Sequence, residues 1–419
     1  MRSFVIAAVL GWAVGAGADE VRDPLRASAR RAMSGDAAAI VALRAVGPAG
    51  LDALFELPVD DSARPGWQAA VDAVAKQKDA QASRLYWYTD FAQATAAAKA
   101  AGKPILSLRL LGNLDEEFSC ANSRFFRTVL YANAEVSGYL RKHFVLHWKS
   151  VRPVPKVTID FGDGRVLERT ITGNSIHYVL DADGRPVDGL PGLYGPKAFL
   201  RGLDRAAQAV KNYHAQPESL RAYHIARLNA VVAEWSADLT RVGAIGVAQP
   251  ARAKRPPTAA QAELTVAAKR AAEMPVVAAL LPAATGRDTA VDDAMWTRIA
   301  ALHAEDARLD EGSQVLMRAK NPTAFDAAPL TESKARVENP MLRLFRKFER
   351  SVAEDTVRNE YLLHRTIHEW FTRGAVGDDV EALNERVYAK LFLTPSSDPW
   401  LGLAPADVYT ALPANKERP

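Results

Sequence analysis

Phe91-Ala-Gln-Ala-Thr-Ala-Ala-Ala-Lys-Ala-Ala-Gly-Lys-Pro104, running straight into Ile105-Leu-Ser-Leu-Arg-Leu-Leu111, is the stretch on which the fold turns. Phe91 to Ala101 is alanine-rich and reads as a helix. Gly102-Lys103-Pro104 closes it, glycine supplying the cap and proline the stop. Ile105 to Leu111 has the length and apolar continuity of a buried strand. Upstream, Leu85-Tyr86-Trp87-Tyr88 is aromatic and strand-like. Downstream, Ser123 to His143 reads as helix with a possible break at Ala132-Asn133-Ala134, and Phe144 to Trp148 as a strand. Val157 to Phe161 and Val166 to Ile171 flank Gly162-Asp163-Gly164, a hairpin signature. Ile176 to Leu180 and the strand begun by Pro186-Val187 flank a turn at Asp183-Gly184. Pro196 to Tyr213 reads as a closing helix with proline in its first turn. Strands and helices in this order predict an α/β sandwich, a central mixed sheet with flanking helices.

Both flanks read as all-α. In residues 19–82, two short helices around Ala37–Leu43 and Leu51–Phe55 meet at Val46-Gly-Pro-Ala-Gly50, a stop and restart, and Trp67 to Lys78 continues the pattern. In residues 214–419, helices are expected over Ser219–Val242, Ala260–Leu281, Asp292–Ala307, Met341–Phe371 and Asp379–Leu391. Gln249–Pro257 reads as a basic linker, Asn321–Glu332 as a loop, and Trp400 as a plug on an interdomain surface. Met1-Arg2-Ser3, an apolar run Phe4–Val14 and small residues before Asp19 form the pattern of a secretory signal over 1–18. A periplasmic or secreted protein is therefore expected, with no membrane span after cleavage; an uncleaved anchor is the alternative reading.

The composition is that of a globular protein: 24% charged and 48% hydrophobic residues exclude disorder or coiled coil as the main architecture. Lys+Arg 53 against Asp+Glu 49 leaves a net charge of +4, too even for a nucleic-acid binder. The chain has one cysteine, which rules out an internal disulfide, a four-cysteine metal site and a dithiol redox centre.

Residues 86–205 resemble the secreted thioredoxin-like family. The resemblance rests on the lead-in Phe91–Pro104, the strand Ile105–Leu108, Cys120-Ala-Asn-Ser123 where the family has C-x-x-C, the helix and strand from Asn133 to Leu146, and Gly173-Asn-Ser-Ile-His-Tyr-Val-Leu-Asp181 at a strand entry. Leu190-Pro191-Gly192 and Phe199-Leu200 match the last strand and helix. The resemblance implies a thioredoxin-like fold, with Cys120 as nucleophile and Asn174 and Ser175 on the substrate-docking side. Two departures stand out. Ser175 occupies the slot of the family's cis-proline, and Gly112–Glu117 lengthens the strand-to-motif interval.

A thiol at a helix N-terminus is activated, because unpaired N–H groups and the positive dipole end favour the thiolate. Ser119 reads as the N-cap, Ser123 as a hydrogen-bond donor to the thiolate, and Arg124 as a tuning charge. With Ser123 in place of a second cysteine, a mixed disulfide on Cys120 needs an external reducing thiol for its release. Three functions follow: monothiol exchange, isomerase or thiol-trapping chemistry on thiols or disulfides of exported proteins; a non-catalytic scaffold binding a protein partner; or copper held by Cys120 with His143, His147 or His177. No cofactor is expected. A buried, inert Cys120 is the plainer alternative to all of the chemistry. Glu360, His364 and His368 share a helix face, with a metal-ligand spacing at the two histidines but no H-E-x-x-H glutamate; a solvated face with Glu–His pairing is expected there. Asp181-Ala-Asp183-Gly184 begins like a calcium loop, but Gly192 stands in the twelfth position, so a hairpin turn is expected.

Overall fold

A computed structural model describes residues 18–170, 173–212, 217–244, 293–320 and 340–398. The expected signal segment up to Gly17, the linker Gln249–Pro257, the helix Ala260–Leu281, the loop Asn321–Glu332 and Trp400 lie outside the described residues. The chain divides into two compact units, Met1–Lys76 and Gln77–Pro419.

The first unit is helical: α1 (Ala18–Met33), α2 (Ala37–Ala45), α3 (Pro48–Phe55) and α4 (Arg64–Ala75). Asp36 caps α2 by accepting from the N–H groups of Ala38 and Ala39. The Gly-Pro joint is a stop and restart: Gly47 has φ 75°, and Pro48 opens α3. At Gly50 a Cβ would meet the Leu43 carbonyl oxygen at 2.0 Å, so only glycine lets α3 fold back onto α2.

The second unit is built on a five-stranded mixed sheet in the order β1-β3-β2-β6-β7. Its strands are β1 (Trp87–Tyr88), β2 (Ile105–Leu111), β3 (Val145–Arg152), β6 (Ser175–Leu180) and β7 (Pro186–Pro191). The strands β1, β3 and β2 run parallel; β6 is antiparallel to β2, and β7 to β6. Every residue of β2 is buried, as a strand covered on both faces requires, and its two polar residues, Ser107 and Arg109, are hydrogen-bonded to each other, with Arg109 paired to Glu381. Strands β4 (Lys156–Asp160) and β5 (Val166–Thr170) form a separate two-stranded hairpin. Its turn glycines Gly162 and Gly164 have φ of 76° and 88°.

Helices α5 (Phe91–Ala101), α7 (Ala134–His143) and α8 (Pro196–Asn212) flank the sheet. Between β2 and α7, α6 (Ala121–Phe125) continues as a π-helical turn, Phe126–Leu130. The expected break follows it, where Asn133 caps α7. Further helices are α9 (Pro217–Arg241), α10 (Asp293–Leu302), α11 (Glu311–Lys320), α12 (Pro340–Arg358), α13 (Arg365–Thr372) and α14 (Val380–Arg386). The helix expected over Met341–Phe371 is interrupted: a π-helical turn, Asn359–His364, joins α12 to α13. Another, Val387–Leu391, extends α14. One continuous apolar core runs from Leu85 in the sheet layer to Leu391 in these helices. No helix among the described residues is long and apolar enough to cross a membrane.

Candidate functional site

Cys120 sits where β2 hands over to α6, and it is the N-cap of that helix, with φ −61° and ψ 162°. The cap expected at Ser119 is displaced by one residue, because Ser119 turns its hydroxyl to the buried Arg127 guanidinium, 3.3 Å away. Ser123 bonds the sulfur through its backbone: its N–H donates to Sγ at 3.4 Å, while its buried hydroxyl finds no partner among the described residues. Arg124 points Nη2 at the Thr170 hydroxyl of β5, 3.0 Å away. The sulfur has the helix-end environment that favours a thiolate, and yet Cys120 is 0% exposed.

The C-terminal segment bonds to Asn174, near the start of β6. Tyr388, in the π turn after α14, is buried against this corner; burial first, and then the nearby sulfur's negative form, push its hydroxyl well above its ordinary pKa. That hydroxyl donates to the Asn174 carbonyl at 3.1 Å, and Asn174 Nδ2 donates to the Thr394 hydroxyl at 3.2 Å. Ser175 is fully buried and accepts from Asn122 Nδ2 at 2.8 Å, which ties the start of β6 to the first turn of α6. No cis peptide bond occurs among the described residues. Arg152, ending β3, donates to the carbonyls of Thr394 and Asp398. Ser175 thus meets the first turn of α6, and Asn174 meets the C-terminal segment.

The three histidines weighed as copper ligands do not meet. Ser107 pairs with His147 and Leu108 with His177, so the two rings leave opposite faces of the sheet. His147 Nδ1 lies 2.7 Å from the Ser107 hydroxyl, and His177 Nε2 lies 2.6 Å from the Tyr131 hydroxyl. Burial pulls both pKa values down to about 3, so both rings are neutral. His143 ends α7 and packs against Tyr139. At Asp181, Oδ1 accepts from the N–H groups of Asp183 and Arg185, the hairpin turn expected there.

The face carrying Glu360, His364 and His368 is not solvated. His364 and His368 are 2% and 0% exposed, and β7 and α9 cover them. The expected Glu–His pairing is present, with Glu360 Oε2 and His364 Nδ1 2.9 Å apart. Sequence reasoning missed the rest of the group. Asp188 of β7 lies 2.9 Å from His364 Nε2, and His224 of α9 lies 2.8 Å from His368, measured Nδ1 to Nδ1. Arg227 donates to Glu360 Oε1 at 3.1 Å, and the Tyr223 hydroxyl to Asp188 Oδ2 at 2.7 Å. Burial alone would lower the His364 pKa, but the two carboxylates outweigh it and raise it to about 9. His224, lacking that pairing, is pulled down to about 4 by burial. The one sequence signal was a carboxylate inside Pro186-Val-Asp-Gly-Leu190, a strand that is otherwise apolar.

Compared with known proteins, the chain matches no family model, no curated protein and no solved structure.

Proposed function

We propose that the protein is an exported thioredoxin-like scaffold that binds a protein partner and does not turn over disulfides. The observation that carries this reading is the buried sulfur: Cys120 is 0% exposed at the corner where a substrate disulfide would have to dock. In-line attack on a disulfide needs an accessible sulfur. The thioredoxin-like assignment is supported by the sequence of parts: a buried strand, a cysteine capping the following helix, and a hairpin of strands whose entry, Asn174-Ser175, lies against that helix. Export is supported by the pattern of residues 1–18.

The surface offered to a partner is the hairpin β4–β5, a two-stranded sheet on which Phe161 and Val166 are 54% and 58% exposed, with Phe118 exposed near its base. An extended segment adding to a hairpin edge gains main-chain hydrogen bonds, with exposed side chains giving selectivity. A complementation assay in the source cell tests the proposal. Cys120→Ser is expected to retain full function, while Phe161→Asp with Val166→Asp is expected to lose it without unfolding the chain. The reverse pattern rejects the scaffold reading in favour of monothiol exchange, which the Ser123 N–H donating to the sulfur at 3.4 Å favours once the corner opens.

A further inference from the structure

We infer that Asp188, His364 and His368, joined by His224 as a fourth donor once the ion is bound, form a buried site for one divalent transition-metal ion, of which Zn²⁺ is the chemical type. The donors come from three distant stretches of chain: β7, α9, and the π turn with the helix that follows it. Asp188 Oδ1 stands 2.9 Å from His364 Nε2 and 3.8 Å from His368 Nδ1, which is 2.8 Å from His224 Nδ1. A tetrahedral zinc ion bound at about 2.0–2.1 Å sets neighbouring donors about 3.3 Å apart, and Asp188 lies near that spacing from both His364 and His368, while His224 joins the group through His368. Among the described residues, Asp188, His364 and His368 are a buried trio whose ligand atoms all lie within 4.8 Å of one another.

The outer contacts orient each donor inward. His224 Nε2 lies 3.0 Å from the Val187 carbonyl, which only accepts, so the proton is on Nε2 and Nδ1 presents a bare lone pair. His364 gives Nδ1 to Glu360, leaving Nε2 toward Asp188. Asp188 gives Oδ2 to Tyr223 and turns Oδ1 inward. A carboxylate or backbone carbonyl behind each imidazole is the support that metal-binding histidines use, since it fixes the tautomer and strengthens the donor. A protein-only network serves His368 poorly: its ring is fully buried, its Nδ1 must donate to another histidine, and its Nε2 has no partner among the described residues. Imidazole and carboxylate donors suit zinc, and the group is buried away from solvent. The ion would staple α9 and α13 to the edge strand β7.

The test uses the full chain, stripped with a chelator and titrated with Co²⁺ and Zn²⁺. One equivalent of Co²⁺ is expected, with the intense visible bands of four-coordinate geometry, and Zn²⁺ is expected to displace it. Glu360→Gln, which keeps the four ligands, is expected to weaken binding about 10–100-fold. His303→Gln, which alters a separate buried cluster, is expected to leave it unchanged. Because His368→Ala can unfold the chain, its uptake is read only alongside circular dichroism. A folded, stripped chain that takes up no Co²⁺ overturns the inference. So does uptake with weak six-coordinate bands, or uptake that survives in folded Asp188→Asn and His368→Ala.

Discussion

The two polar clusters of the second unit differ in how their residues are spaced along the chain. The Cys120 corner is local: the strand, the cysteine and the helix it caps follow one another within Ile105–Phe125, and the structure assembles them in that order. The Asp188–His224–His364–His368 group is non-local, gathered from elements that sequence periodicity reads one at a time. The difference teaches that local pattern locates a functional group, while its exposure is decided by segments far along the chain. Cys120 is fully buried beside a C-terminal segment that bonds Asn174, and β7 with α9 buries the histidine face.

The largest expected effect comes from breaking the non-local group. Asp188→Ala removes a fully buried carboxylate that bonds Tyr223 and lies against His364 and His368, and breaking such a buried charged network costs about 3–5 kcal/mol. Urea denaturation checks this; a loss below about 1 kcal/mol would mean that the group is solvated after all. Next comes the seal on the local site. Tyr388→Ala removes a fully buried ring, at about 3–4 kcal/mol, and should expose the thiol to alkylating reagents. Tyr388→Phe deletes only the bond to the Asn174 carbonyl, costs about 1 kcal/mol and should keep the sulfur covered. Equal thiol reactivity in the two variants would show that another element makes the seal.

A third test uses a cluster that belongs to neither site. Hydrogen bonds to the Asp238 and Asp306 carboxylates raise the His303 pKa to about 9, and Arg201, Arg241 and Tyr361 complete its surroundings. Because the folded pKa lies above the unfolded value, this histidine's contribution is fully present below about pH 6.5 and is lost as pH rises through about 9. The contribution is at most about 3 kcal/mol. Thermal melts of the native chain should fall across that window, and those of His303→Gln should fall less; parallel curves would assign the loss elsewhere. The smallest effect belongs to Cys120→Ser. A serine caps a helix at least as well, so stability should change by less than about 1 kcal/mol, as differential scanning calorimetry would show.

What was legible follows from what the residues encode alone. The mostly apolar run of β2, the glycines at 162, 164 and 184, and the Gly-Pro joint at 47–48 impose their conformations locally, and each lies where it was expected. The break before α7 was legible because Asn133 is a strong cap. The cap at Cys120 was misplaced by one residue because the Ser119 hydroxyl is taken by Arg127, a tertiary contact. The shared face of Glu360, His364 and His368 was legible from helical spacing. Its burial was not, and neither was the π turn that interrupts the helix there, since an inserted residue leaves the apolar pattern almost intact.

The central claim, that the sole thiol is helix-capped yet sealed, is tested most directly by iodoacetamide labelling of the folded full-length chain across neutral to mildly alkaline pH. The account predicts no labelling until denaturant unfolds the second unit, followed by complete reaction. Rapid labelling of Cys120 in the folded chain, with a rate that titrates below the ordinary range of a thiol, would contradict it.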